Sequence, residues 1–445
     1  MLINPPSIPF NNKKVLIEPI DLLTLATYLN QFSHEIKVVD MDIKRMNFQS
    51  LQNLILKFSP EVMILPFDYH IPLHNQGSVE IVKRICVLSK KHKLKTIVCG
   101  KTATFFPEEF LNSGANIVIK GEAELSLKLL LELPKWTINN LLKINNLCFK
   151  IDKKIFFTRS SNKKIDLNEL PIPNRDLLDI SDYIDVRTIW TSRGCNNLCS
   201  FCATPNFWGN WRARNAKKVV DEIIYLKKRY NSKKILFLDD NATFYKERMK
   251  SISKEILKRK IKIKLGCLGS ISNFDFRTMQ LMYKAGFRWI HYGIESGSQR
   301  ILNSVRKGVS ITTIHKVIQD TKKIGFRIRT SWILDLPQMT LEDYIATKSL
   351  IIQSNSDEIR LHYLTPRVGT KFENINPKNQ YIHSNISSCN HTQELKKFTK
   401  LLISELVNKN YTLIKTQSFW NNPKDFSKAN FKFVSFCPSR YGIGW

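Results

Sequence analysis

No run of 18 apolar residues occurs in the 445-residue chain, so no membrane-crossing helix is expected. The opening Met1-Leu-Ile-Asn-Pro5-Pro6 lacks a basic segment and a small-residue cleavage site, and is not read as a signal peptide. No G-x-G-x-x-G occurs, which argues against a nicotinamide cofactor. The nine cysteines are not spaced as a disulfide framework, so a reduced, cytoplasmic setting is expected. Acidic residues are scarce: 38 Asp and Glu face 69 Lys and Arg, a formal net charge of +31. Two readings of that charge stand. Phosphate neutralisation by a nucleic-acid partner would use it. The other is a lysine-rich composition spread over solvated helix faces. The pairs Lys227-Lys228, Lys233-Lys234, Lys322-Lys323 and Lys396-Lys397 are distributed, which favours the second, and no nucleic-acid partner is expected.

What is present is a long alternation of apolar strands and amphipathic helices. Over residues 1–130, strands at Met1–Asn4, Glu35–Asp40, Val62–Pro66, Thr96–Cys99 and Ile117–Lys120 alternate with helices at Asp21–Gln31, Met46–Phe58 and Ser78–His92. This spacing predicts a Rossmann-like doubly wound sheet with its ligand edge at the C-terminal strand ends. Residues 131–185 read as a hairpin around Asp152-Lys-Lys, then a linker punctuated by Pro171 and Pro173. From 186 to 375, six strands with intervening helices predict a partial (β/α)6 barrel whose reactive end lies at the C-terminal ends of its strands. Residues 376–445 offer one amphipathic helix, Thr392–Asn408, and an aromatic segment, read as a small α-rich cap. The expected fold class is therefore α/β throughout.

The stretch Cys195-Asn-Asn-Leu-Cys199-Ser-Phe201-Cys202 carries the chemistry. Clustered thiolates suit zinc or iron–sulfur centres. A closed zinc site wants a fourth protein ligand, and no second Cys or His pair follows. Three thiolates can instead hold three irons of a cubane and leave the fourth open. With C-x3-C-x2-C spacing and an aromatic before the last cysteine, the stretch resembles the motif of the radical S-adenosylmethionine (SAM) enzymes. Preceded by Asn4-Pro5-Pro6, Cys99-Gly100-Lys101, Pro107-Glu108-Glu109 and Gly121-Glu122-Ala123-Glu124, it resembles the class that places a cobalamin (B12)-binding domain before the radical SAM barrel.

That resemblance implies a 4Fe-4S cluster on Cys195, Cys199 and Cys202, SAM on the open iron, and cobalamin over the first sheet. Phe201 is expected near the adenine. Asp239-Asp240-Asn241 resembles the family's post-strand segment beside the SAM amino group, and is also compatible with a helix N-cap cluster. Gly293, Glu295, Ser296 and Gly297 match a segment near the SAM ribose and methionine, where glycines admit the ligand and Glu295 accepts ribose hydroxyls. Arg212 and Arg214 match a post-cluster R-x-R, with loop pinning as the other reading. For cobalamin, Gly100 and a lower-face role for His70 are the candidates, a solvated loop residue being the favoured reading of His70. Cys267, at a strand end, is either a hydrogen-atom donor or a core thiol, with the core favoured.

Departures from the family pattern are specific. D-x-H-x-x-G is broken by Leu73, one glycine stands at 100 where the family has two, Ser270-Ile-Ser272 replaces Arg-x-Asp, and Asp335-Leu-Pro337-Gln338-Met339-Thr340 replaces Gly-x-Pro-Gly-Glu-Thr. The resemblance implies a methyltransferase acting on a small metabolite or a peptide, fed electrons by a flavodoxin or ferredoxin. Two alternatives stay open. One is cobalamin-independent radical cyclisation, oxidation or rearrangement. The other is RNA modification of the methylthiotransferase type, against which Cys86, Cys99 and Cys148 are too scattered for a second cluster.

Overall fold

The computed structural model describes residues 1–6, 17–67, 76–364, 370–372, 393–414 and 432–437. The chain forms two compact units, Met1–Tyr183 and Ile184–Trp445.

In the first unit a seven-stranded sheet runs in the spatial order Val38–Asp40, Leu2–Asn4, Val62–Pro66, Lys95–Cys99, Ile117–Ile119, Leu147–Ile151, Lys154–Phe157. The first five strands are parallel and the last two form an antiparallel hairpin, with Asp152 in the left-handed region at its turn. The central strands read as unbroken apolar runs because both faces are covered; Val-Met-Ile-Leu-Pro and Ile-Val-Ile have almost no exposed residue. The helix Ile20–Asn30 buries eight side chains around most of its circumference, which places it deep against the sheet.

The strand order reverses between Leu2–Asn4 and Val62–Pro66, the position where doubly wound sheets open a ligand crevice. The segments that leave those two strand ends, 7–16 and 68–75, lie outside the described residues, and the candidate His70 lies there with them. Gly100 is described. Its φ is +119°, and a Cβ there would sit 1.7 Å from the Phe67 carbonyl oxygen. The absence of a side chain at Gly100 is thus demanded by the neighbouring strand end. Cys86, Cys99 and Cys148 are core thiols; burial pushes Cys86 up to about 12 and Cys148 up to about 11.

The proline-punctuated stretch packs onto this unit. Arg175 is fully buried, 3.3 Å from Glu18 and 3.1 Å from the Pro173 carbonyl. Tyr183 donates to Asp40 at 2.7 Å.

The second unit holds an eight-stranded, wholly parallel sheet. Its first six strands follow chain order: Arg187–Ile189, Lys234–Phe237, Lys264–Gly269, Phe287–Glu295, Arg327–Ile333 and Glu358–His362. This is the partial (β/α)6 layout. The C-terminal region supplies the expected helix, Gln393–Asn408, and in addition two strands, Phe433–Cys437 and Thr412–Ile414, that extend the same sheet. Helices are started where the sequence places caps: Asn215 accepts from Lys218 N, Asp275 from Thr278 N, and Ser310 from Thr313 N.

The helices Ala216–Tyr230, Lys246–Lys258, Phe276–Lys284, Ile311–Ile324 and Leu341–Ser354 share one core with alternate strand residues: Ile235 and Phe237, Ile290, Tyr292 and Ile294, Ile359 and Leu361. At about 1.5–3 kcal/mol per buried large apolar side chain, this one-sided packing is the main stabilising term. Cys267 belongs to it, fully buried and registered beside Phe237 and Ile290, so its side chain lies on the helix side of the sheet. The intervening strand residues, which include His291, Gly293, Glu295, Arg329, Ser331, Glu358 and Arg360, belong to the opposite face.

Candidate active site

The cysteine loop leaves the first strand of the second sheet and is closed at its neck by a two-stranded pair, Ser192–Arg193 against Arg212–Ala213. Gly194 turns the chain into the loop at φ +89°, and a Cβ there would lie 3.0 Å from the carbonyls of Gly209 and Asn210. Inside, Cys202 N donates to the Cys199 carbonyl at 3.1 Å, Trp211 N to Asn196 at 2.9 Å, and Ser200 N to the Val305 carbonyl at 2.9 Å. The guanidinium of Arg193, almost fully buried, stands 4.9 Å from both the Trp190 and the Trp208 rings, a cation–π contact with each.

Beneath the neck lies a buried ionic network. Asp239, fully buried, accepts from Thr191 N at 2.7 Å, from the Thr191 hydroxyl and from Ser192 Oγ at 2.6 Å, with Arg248 4.0 Å away. Arg248 donates to the Thr191 carbonyl at 2.6 Å and the Arg214 carbonyl at 3.2 Å; burial lowers its pKa to about 10. Arg214 pairs with Glu222 and reaches the Trp190 carbonyl at 3.0 Å. Asp239 and Arg214 therefore hold the loop in place. The carboxylate of Asp239, expected from sequence beside the SAM amino group, is bonded to the loop's own root.

The rest of that segment is closer to the thiols. Asp240 accepts from Thr204 Oγ1 at 3.2 Å. Asn241 points its Nδ2 at Cys195 Sγ, 4.0 Å away, and at Asn273 Oδ1, 3.4 Å away. Phe201 packs on an apolar cluster of Ile301, Val305, Ile333, Leu336 and Leu364, with Lys307 Nζ 5.9 Å from its ring.

At the end of the fourth strand the backbone bulges between Gly293 and Glu295, and Glu295 takes φ +76°. Glu295 Oε1 accepts from Lys307 Nζ at 3.2 Å. A Cβ on Gly293 would sit 2.3 Å from that carboxylate oxygen, so the glycine makes room for the ion pair. Gly297 serves the packing: a Cβ there would meet the Ala346 carbonyl and Thr347 Cα at 2.5 Å, and Gly297 N donates to Thr347 Oγ1 at 3.0 Å. Ser296, fully buried, bonds Thr347 Oγ1 at 3.2 Å and accepts from Ser298 N. Ser296 and Gly297 thus dock the bulge onto the helix Leu341–Ser354, and Glu295 is the member that faces the cysteine loop.

Lys307 was not singled out from sequence, since it lies in no motif. Burial opposes its charge, yet Glu295, Cys199 and Cys202 together raise its pKa above the ordinary lysine value. Burial pushes the Cys195 thiol up to about 11 and raises Cys199 as well. Cys195 and Cys199 both feel the charge of Cys202, so the three thiols share one space. Among the described residues no three His, Cys, Asp or Glu side chains are gathered as ligands of a single metal ion. The three half-exposed thiols, sharing one space beside the Lys307 ammonium, fit a cubane in which each thiolate binds a different iron.

Residues 190–351 match the model of the radical SAM superfamily. The chain is 27% identical to an uncharacterized methyltransferase of Pyrococcus horikoshii over 434 residues, covering 95% of this chain and 92% of the relative. It is 23% identical to the anaerobic magnesium-protoporphyrin IX monomethyl ester cyclase of a Synechocystis species, over 84% of this chain and 76% of that one. The fold matches the radical SAM methyltransferase TsrM of Kitasatospora setae, solved with cobalamin and a [4Fe-4S] cluster bound. The TM-score is 0.70 at 16% identity, over 81% of this chain and 71% of TsrM. Residues 190–351 form a radical SAM domain, and the protein is an enzyme that uses a 4Fe-4S cluster and SAM.

Proposed function

We propose that this enzyme is a cobalamin-dependent radical SAM methyltransferase acting on a small metabolite or a peptide. The observation that carries the radical part is the clamped loop, which presents three thiols at the C-terminal edge of a parallel sheet whose other face is polar. Cys195, Cys199 and Cys202 would hold the cluster, which, when bound, supplies one electron to SAM and so the radical. Asn241 and Lys307 flank the thiols from two sides. Lys307, fixed by Glu295, would pair with the carboxylate of SAM; Glu295 is placed to accept from ribose hydroxyls. Phe201 would pack on the adenine, and Asp240 would bound the pocket on the side of the Thr204 helix.

Cobalamin, the methyl donor in this reading, is supported by the strand order of the first unit and by the fold shared with a cobalamin-bound structure. The likeness to the cyclase favours, as a second reading, radical chemistry without methyl transfer.

Anaerobic purification with hydroxocobalamin, followed by iron, sulfide and cobalt analysis, separates the two. About four irons and one cobalt per chain support the methyltransferase, about four irons without cobalt the second reading, and no iron overturns both.

A further inference from the structure

The polar face of the second sheet carries a half-buried guanidinium, that of Arg360, which the proposed cluster and SAM contacts do not use. Three adjacent strands build it. Glu358 accepts from Trp289 Nε1 at 3.1 Å, Arg327 Nε at 3.0 Å and Arg329 Nε at 2.7 Å, so one carboxylate serves two guanidinium groups. Arg329 also lies over the Trp289 ring, 5.1 Å from its centre. His291, level with Arg329 and Glu358, brings its Nε2 to 2.5 Å from Ser331 Oγ, one layer nearer the strand ends. Arg360 is in register with Ser331, and His362 with Ile333.

Arg360 and His362 are both half-buried. The side chain of Arg360 makes no ion pair or hydrogen bond among the described residues. It is nonetheless close enough to act on both His291 and Arg329. Burial first, and then the charges of Arg329, Arg360 and Lys307, push His291 well below the ordinary imidazole value, so its ring is neutral near pH 7. Glu295 is bonded to Lys307 and Glu358 to Arg327 and Arg329, so neither of these carboxylates serves Arg360. A half-buried guanidinium among like charges is costly unless an anion completes it.

We propose that the polar face of this sheet binds the substrate through an oxyanion group, a carboxylate or a phosphate, which Arg360 grips as a fork beside the His291–Ser331 pair. This rests on the radical SAM reading, because it places the substrate on the same sheet face as Glu295 and Lys307. A guanidinium presents paired donors matched to either oxyanion. The neutral imidazole and the hydroxyl supply a further donor without adding charge.

The test uses the full-length, cluster-loaded enzyme under anaerobic conditions, with succinate and inorganic phosphate as separate calorimetric probes. Arg360→Gln and Arg360→Lys are compared with wild type and with Lys316→Gln, a change at an exposed helix position. Iron content per chain, equal to wild type, shows that each variant is folded. The expected result is saturable binding of at least one probe, weakened about tenfold or more by Arg360→Gln, less by Arg360→Lys, and unchanged by Lys316→Gln. Preference for succinate assigns a carboxylate, and preference for phosphate assigns a phosphoryl group. No binding by wild type, or equal binding by wild type and Arg360→Gln, overturns the proposal. Formation of 5′-deoxyadenosine from SAM and dithionite is measured on wild type in parallel. Its absence counts against the radical reading, whereas its presence with Arg360-independent binding counts against this inference alone.

Discussion

The central strands of both sheets are parallel and flanked by helices, yet they read differently. In the first unit the central strands, Val-Met-Ile-Leu-Pro and Lys-Thr-Ile-Val-Cys, run apolar with hardly a break. In the second, Arg-Ile-Arg-Thr-Ser-Trp-Ile and Glu-Ile-Arg-Leu-His alternate. Parallel strands covered on both faces give the first pattern. Alternation in a parallel strand means that one face is not packed by helices and must be occupied by polar partners. That difference separates a sheet that acts only at its edge from one that also acts across its face.

The largest expected break of this comparison is at the loop. Cys199→Ser should abolish iron binding, from about four irons per chain, together with reductive SAM cleavage. The second unit should keep its secondary structure by circular dichroism, because the neck is held by Asp239, Arg248 and Arg214 and not by the thiols.

On the polar face, Glu358→Gln removes the carboxylate that Arg327 and the buried Arg329 share. A loss of about 3–5 kcal/mol in urea unfolding is expected. A comparable loss should follow on the apolar sheet from a single methyl group. Gly100→Ala puts its Cβ against the Phe67 carbonyl in a left-handed conformation, at a cost of about 3 kcal/mol. The two differ in kind. Gly100→Ala should lower the stability of the first unit and leave iron content unchanged, and iron analysis alongside urea unfolding checks both.

How much of this was legible in the sequence follows from range. Helices such as Ala216–Tyr230, Lys246–Lys258, Ile311–Ile324 and Leu341–Ser354 are long enough for their periodicity to mark both ends, and they stand where the pattern puts them. The helix Lys101–Phe105 is too short for a period to show, and the strand Phe433–Cys437 exists by pairing with a strand some 70 residues earlier. In the site, the cysteine spacing is local and was readable. The anchoring role of Asp239 was not, because its partners Thr191 and Ser192 are 47–48 residues away. The grouping of His291, Ser331 and Arg360 was invisible for the same reason: each lies in a different strand, register sets Ser331 beside Arg360, and His291 reaches Ser331 from the level of Arg329. Lys307, outside every motif, is identified only by the charges around it.

The smallest effect separates two buried carboxylates, one in each sheet. Asp40 ends an edge strand of the first and accepts from Asn4, Tyr183 and the backbone of Asp42. Asp335 follows the fifth strand of the second and accepts from the backbone of Leu364. Burial raises both, despite the hydrogen bonds, and carries Asp335 to about 7. A carboxyl that binds its proton more tightly folded than unfolded favours the native state at low pH. Its contribution is lost as pH rises from the unfolded value of 3.8 toward about 7, by at most about 1.4 kcal/mol per pH unit. Asp335→Asn keeps an oxygen for Leu364 N and removes the titration. Wild-type urea stability should therefore fall between pH 5 and pH 7 relative to the variant, and the difference should level off above that window. Parallel pH profiles for the two proteins would show that Asp335 does not titrate in this window, whereas profiles that run together below about pH 4 and separate by pH 7 would show that it does.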